Sequence, residues 1–136
     1  MSTPFGPKRL GLVRTRGEPG VVVLILSGEL DAGTSSKLVH AVAQILATEP
    51  EALILDLSEL SFLSVAGVRA IRAAHDAAGA ARLRVVTGEH AIVRELLHVT
   101  RFDAVLDCYP TRNGAVAAGS RAEFVSRARA AWDASG

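Results

Sequence analysis

Leu57-Ser58-Glu59-Leu60-Ser61-Phe62-Leu63-Ser64-Val65-Ala66-Gly67-Val68 is the stretch whose reading decides the fold. Ahead of it, Ala52 to Leu57 is apolar except for Asp56, as in a strand covered on both faces. Behind it, Val68, Ile71, Ala74 and Ala78 recur at helical spacing, while Arg69, Arg72 and Asp76 fall on the opposite face. Ser64 is placed to cap that helix, and Gly79 to end it. A strand feeding directly into a helix leaves first-turn N–H groups at the carboxyl edge of a sheet, where an approaching partner meets them. The stretch is therefore a candidate recognition site.

Working outward, Arg9 to Arg14 alternates apolar with polar residues as an edge strand does, and Val21 to Leu26 is a continuous strand of leucine and β-branched residues. The turn Gly17-Glu18-Pro19-Gly20 between them predicts an antiparallel hairpin. Ser27 to Gly33 reads as a loop, with Asp31 or Thr34 capping a helix whose stripe is Leu38, Val39, Val42, Ile45 and Leu46. That helix stops before Pro50. Downstream come a third covered strand at Leu83–Val86, a helix carrying Ile92, Val93, Leu96 and Leu97, a last short strand at Val105-Leu106, and a short helix from Thr111 to Ala118. Ser120 to Ala134 is helical in pattern, with Phe124, Ala128 and Trp132 on one face. An opening hairpin followed by alternating helices and strands predicts an α/β fold. Its sheet is mixed but mostly parallel, with helices packed on it and an antiparallel edge strand. The expected organisation is a flexible arm at 1–8, one domain at 9–118, and an additional C-terminal helix at 119–136 packed on the domain or extending from it.

The totals narrow the function. A chain of 136 residues suits one domain with a substantial core, and 49% apolar with only 4% aromatic residues means that Ala, Val and Leu fill it. A net charge of +1 gives no case for direct nucleic-acid contact or an anionic membrane. No run approaches the roughly 20 apolar residues of a membrane span, and the N-terminus lacks the apolar core of a signal peptide. The lone cysteine, Cys108, forms no internal disulfide and reads as a small apolar residue near a strand end. The expected location is the cytoplasm.

Motifs of catalysis are missing. The sequence has no phosphate-binding loop, dinucleotide fingerprint or nucleophile elbow. His40, His75, His90 and His98 lack metal-ligand spacing, so neither a metal nor a cofactor is expected. Glu29, Asp31 and Asp56 end or follow strands whose carboxyl edges converge. A phosphoacceptor receiver would also need a lysine after the last strand, and Lys8 and Lys37 are the only lysines. Asp56 reads as a strand-end hydrogen-bonding group; Asp31 reads equally as a helix cap or a site residue. Arg121, Arg127 and Arg129 in the tail are interspersed with Glu123 and Asp133, as on a solvated helix face.

Four motifs in order resemble the STAS domain family, and within it the bacterial anti-sigma-factor antagonists. They are Gly28-Glu29-Leu30-Asp31 with Thr34 and Leu38; Ala52–Leu57 with Leu60-Ser61-Phe62-Leu63; Leu83–Val86; and Val93–Phe102. The resemblance spans roughly residues 9 to 118. It implies a non-enzymatic regulator that binds an anti-sigma factor, itself a serine kinase, and so releases a sigma factor. In the family the kinase phosphorylates a serine at the start of the second helix, in a turn usually reading Asp-Ser-Ser-Gly, and the added charge of roughly −2 breaks the interface. Here Ser64 stands at the aspartate, Val65 at the first serine, Ala66 at the phosphoacceptor and Gly67 at the glycine. Ala66 has no hydroxyl to phosphorylate. Ser64 is a weak alternative acceptor, because two residues turn a helix by about 200°. The implied contact surface is Gly28, Glu29, Asp31, Thr34, Ser64, Val65, Ala66, Gly67 and Arg69. Two alternatives stand beside it: a STAS subunit of another assembly such as a transporter ATPase complex, and a small-ligand sensor or enzyme using Glu29, Asp31 and Ser64. A homodimer is compatible with either regulator reading.

Overall fold

Runs that are apolar on both faces become the middle of a sheet, because only there are both faces covered. The computed structural model describes residues 9–79, 82–89 and 91–118, and in it β2 (Val21–Leu30) and β3 (Ala52–Leu63) hold that central place. Around them lie β1 (Leu10–Arg16), β4 (Leu83–Val86) and β5 (Asp107–Tyr109), in the order β1-β2-β3-β4-β5. The β1–β2 pair is antiparallel and the other three pairs are parallel, as the hairpin and the strand–helix alternation predict.

The strand order is sequential, so every crossover steps in the same direction. Crossovers of one hand then deliver their helices to one face. Accordingly α1 (Ser35–Leu46), α2 (Val65–Ala78) and α3 (Ala91–Val99) share one core with Leu24, Leu26, Leu53, Leu55, Leu57 and Val85 of the sheet. Each fully buried Leu or Ile of this layer contributes about 1.5–3 kcal/mol over leaving it in water. The other face is covered by the short α4 (Arg112–Ala117), whose Ala115 and Val116 pack with Val21, Val23, Ile54 and Val86. We call these the inner and the outer face.

Two charged side chains fix α4 to the outer face. Arg84, 1% exposed in mid-β4, donates from Nη1 to the Ala115 carbonyl at 2.8 Å. Asp56, also 1% exposed, accepts from Arg112 Nε at 2.7 Å on Oδ2. On Oδ1 it accepts from the Ser58 amide at 2.9 Å and the Ser58 hydroxyl at 2.6 Å.

Several expectations are corrected. Ser27 to Leu30 is strand, not loop: β2 continues alongside Leu60–Leu63, with register shifts at Ile25/Ser27 and Gly28/Glu29. Gly28 makes that possible, since its φ of +86° suits glycine and a Cβ there would strike the Arg9 carbonyl. The last strand is Asp107–Tyr109, two residues beyond the Val105-Leu106 expectation; Leu106 is buried in the turn before it, after a single 3-10 turn at Phe102–Ala104. Val39 is 48% exposed and lies off the buried stripe of α1, which is Leu38, Val42 and Ile45. The arm at 1–8, the C-terminal helix at 119–136 and His90 lie outside the described residues.

Candidate functional site

The opening stretch is mostly strand. β3 runs through Leu63 and α2 starts at Val65, so Ser64 alone makes the turn. Leu57, Leu60 and Leu63 all face the inner core. Their spacing of three, where a flat strand would repeat every two, matches the register shifts and brings Phe62 outward at 45% exposure. Ser64 is extended (φ −100°, ψ 170°), and its Oγ accepts from the Gly67 amide at 3.1 Å, a true N-cap. The amides of Val65 and Ala66 precede any intrahelical acceptor, so they add to the positive end of the α2 dipole. The first turn of α2 carries no acidic residue to offset it.

The loop after β2 is locked to this turn. The Ser64 amide donates to the Leu30 carbonyl at 3.0 Å, and Leu30 and Leu63 are register partners. Gly67 is required by the same closeness: a Cβ there would lie 2.5 Å from the Leu30 carbonyl oxygen. Beyond Leu30 the chain reverses through a closed hydrogen-bonded turn. Asp31 Oδ1 accepts from the amides of Gly33 at 2.8 Å and Thr34 at 3.1 Å. The Thr34 hydroxyl donates to the Glu29 carbonyl at 2.8 Å and accepts from the Asp31 amide at 3.0 Å. Thr34 takes the N-cap position of α1 but makes no side-chain cap bond; Ser35 Oγ donates instead to the Asp31 carbonyl at 2.5 Å.

The nine residues expected at the site thus divide by burial. Asp31, Thr34 and Gly67 are buried and shape the loop and turn from within. Val65 and Arg69 are exposed, while Gly28, Glu29, Ser64 and Ala66 are half-buried. Phe62, opposite Glu29 in the ladder, joins this surface. In the sequence Phe62 stands only within the Leu60–Leu63 motif; the signal that places it outside is the spacing of Leu60 and Leu63.

Two cavities lie away from this surface. A cavity of about 660 Å³ opens beside His75, Asp76, Gly79, Arg82 and Asp103, at the far end of α2. A smaller one of about 280 Å³ lies by Thr87, Arg94, Cys108 and Tyr109. Neither touches Ser64 or Asp31. Among the described residues no group of His, Cys, Asp and Glu side chains could hold a metal ion, and no helix is long and apolar enough to cross a membrane. Cys108 is half-buried, and burial, helped by the Asp103 and Asp107 carboxylates, pushes its thiol up to about 11, away from nucleophilic use.

Comparison with known proteins bears on this arrangement. The STAS domain model matches residues 13–115. The anti-sigma-F factor antagonist RsfB of Mycobacterium tuberculosis is 29% identical over 97 residues, which cover 71% of this chain and 80% of RsfB. The crystal structure of an anti-sigma factor antagonist from Mycobacterium paratuberculosis superposes with a TM-score of 0.76 at 28% identity, covering 89% of this chain and 99% of that one. The unphosphorylated form of the Bacillus antagonist SpoIIAA superposes with a TM-score of 0.63 at 18% identity, over 78% of this chain and 93% of that one, and shares the fold.

Proposed function

The chain belongs to the STAS domain family, and on that premise we propose that it is an anti-sigma-factor antagonist: a non-enzymatic regulator that binds an anti-sigma factor of the serine-kinase type in the cytoplasm and releases the sigma factor held by it. The observation that carries this reading is the β3–α2 turn. It offers an open helix start and a shallow surface of Val65, Ala66, Phe62 and Arg69, braced from behind by the Asp31–Thr34 loop. A shallow patch that mixes apolar and charged groups suits a protein partner better than a small substrate.

In this reading the interface lacks its covalent switch. Ala66 occupies the position where the antagonists carry the phosphorylated serine. Ser64 does not replace it, because its hydroxyl oxygen is held by the Gly67 amide as the helix cap. Binding is then persistent in the presence of kinase and ATP, and control lies in the amount of this protein.

Titration of the purified chain against the kinase-type anti-sigma factors of its own cell tests the reading. One of them binds, the complex survives ATP, and Ala66→Glu weakens it at least tenfold by placing a charge in the patch. Absence of binding to every anti-sigma factor removes the antagonist function. Phosphate on Ser64 removes the claim that the switch is missing. Full affinity in Ala66→Glu moves the interface elsewhere.

A further inference from the structure

β1 is an outermost strand of the sheet, and no strand among the described residues lies beyond it. Two hydrogen bonds set the phase of its ladder with β2. The Glu29 amide donates to the Arg9 carbonyl at 2.9 Å, and the Gly17 amide donates to the Val21 carbonyl at 3.1 Å. The register carries that phase through the pairs Gly11–Ser27, Val13–Ile25 and Thr15–Val23. In an antiparallel pair the alternate residues turn their backbone groups the other way. Leu10, Leu12, Arg14 and Arg16 therefore direct N–H and C=O groups to the open edge. Their side chains share the inner face, where Leu10 is buried and Leu12 half-buried.

α1 runs beside this edge. At one end Lys37 Nζ donates to the Leu10 carbonyl, one of the edge-directed groups. At the other, Thr48 and Glu49, just past the helix, line a groove of about 300 Å³ together with Arg14 and Arg16. Lys37 already occupies the Leu10 carbonyl, so the open ladder runs from Leu12 to Arg16, a length of about 14 Å. Its surroundings are basic. Among the described residues no carboxylate forms an ion pair with Arg14, Arg16 or Lys37. Open backbone groups beside a helix are where an extended peptide adds to a sheet as a further strand.

We propose that the β1 edge binds an extended acidic segment of a partner protein, which adds to the sheet as a sixth strand alongside α1. The backbone groups of Leu12, Arg14 and Arg16 pair with it. Carboxylates at every second residue of the segment lie on the inner side and meet the guanidinium groups of Arg14 and Arg16. A second copy of this chain is the poorer occupant, because two β1 edges side by side set Arg14, Arg16 and Lys37 against the same cations. The surface is separate from the β3–α2 turn: Arg16 pairs with Val22, which is about 26 Å along β2 from Leu30.

The probe is a fluorescein-labelled peptide of about eight residues in which glutamates alternate with valine and threonine, titrated into the intact protein and followed by anisotropy. It binds saturably, and its affinity falls as salt rises. The same peptide with lysines in place of the glutamates binds at least tenfold more weakly. Arg14→Glu weakens binding of the acidic peptide at least tenfold. Arg14→Pro removes an edge-directed N–H that β2 does not use, and weakens binding further than Arg14→Ala. Far-UV circular dichroism confirms that each variant is folded. Amide exchange followed by NMR needs no variant. The Leu12 and Arg14 amides exchange fast in the free protein and at least tenfold more slowly with the peptide bound, while the Val13 and Thr15 amides, bonded to β2, are protected in both. Failure of the acidic peptide to bind overturns the proposal, as does equal affinity for the acidic and basic peptides. Binding that leaves the Leu12 and Arg14 amides unprotected places the peptide elsewhere, and protection of both amides in the free protein shows that the edge is already covered; either result also overturns it.

Discussion

Gly67→Ala tests whether the Leu30 carbonyl sets the geometry of the β3–α2 turn. In an unencumbered helix the change stabilises by about 1 kcal/mol, because alanine loses less backbone freedom than glycine. Here the new Cβ lies 2.5 Å from the Leu30 oxygen, 3.0 Å from the Leu30 carbonyl carbon and 2.9 Å from Leu63 Cδ1. The Leu63 methyl can rotate away, but the Leu30 carbonyl is held by the Ser64 amide at 3.0 Å, and the Leu30 side chain is fully buried. Relief therefore requires moving the loop off the turn. Overpacking of this kind costs about 1–3 kcal/mol, and weakening the Ser64–Leu30 hydrogen bond costs about 1 kcal/mol more. Set against the helix gain, the net loss is about 1–3 kcal/mol, a fall in Tm of roughly 4–12 °C for a domain of this size. Urea unfolding followed by circular dichroism measures it directly. A variant as stable as the parent, or more so, refutes the argument that the close approach of Leu30 is what requires glycine.

Other substitutions probe neighbouring parts of the fold. Asp56→Asn removes the charge that meets Arg112 while keeping the shape; with one partner buried and the other 42% exposed, the expected loss is about 1–3 kcal/mol, read by urea unfolding, and an unchanged midpoint shows that the pair is idle. Ser64→Ala removes the α2 cap at a cost of about 1 kcal/mol, also read from urea midpoints, and no loss means that water caps the Gly67 amide equally well. With its thiol pushed up to about 11, Cys108 in the folded chain holds roughly 100-fold less thiolate near neutrality than an ordinary thiol, so alkylation is slow until urea is added. The same shift sets a pH dependence: the folded pKa lies above the unfolded one, so this contribution to stability is complete below the unfolded value and is lost as pH rises toward about 11. Equal alkylation rates in the folded and unfolded chains contradict the burial of the thiol.

The inner face was legible because its signal is periodic. Val21–Leu26, Ala52–Leu57 and Leu83–Val86 read as covered strands, and the stripe Val68, Ile71, Ala74 and Ala78 read as a helix face, because burial on the inner layer selects apolar residues at fixed spacing. Legibility failed where another force placed the backbone. Ser27-Gly28-Glu29-Leu30 is polar and contains glycine, so composition points to a loop, yet pairing with Leu60–Leu63 holds it as strand. A bulged ladder has no fixed repeat to read. β5 was misplaced for a related reason. Its three residues are only half-buried at the end of the sheet, whereas Leu106 is buried in the turn before it and carries the stronger apolar signal.

The charged residues of the outer face explain why the site itself was only half legible. Asp56 and Arg84 lie inside otherwise apolar strands, and nothing local distinguishes a catalytic acid from an anchor for a helix. Their partners, Arg112 and the Ala115 carbonyl, come from the end of the described domain, a separation no motif of local spacing can cover. The same holds for Asp31. As a residue following a strand it is equally a ligand-facing acid or a cap, and only the closed turn with Gly33 and Thr34 shows that its Oδ1 closes the loop on itself. What the β3–α2 turn offers outward is shape: Val65 and Ala66 on a positive helix start, with Phe62 and Arg69 at the rim. A surface of that kind discriminates partners by fit and by the charge they place against the helix start. On the proposed function, a single methyl at Ala66 therefore decides whether the interface can be switched.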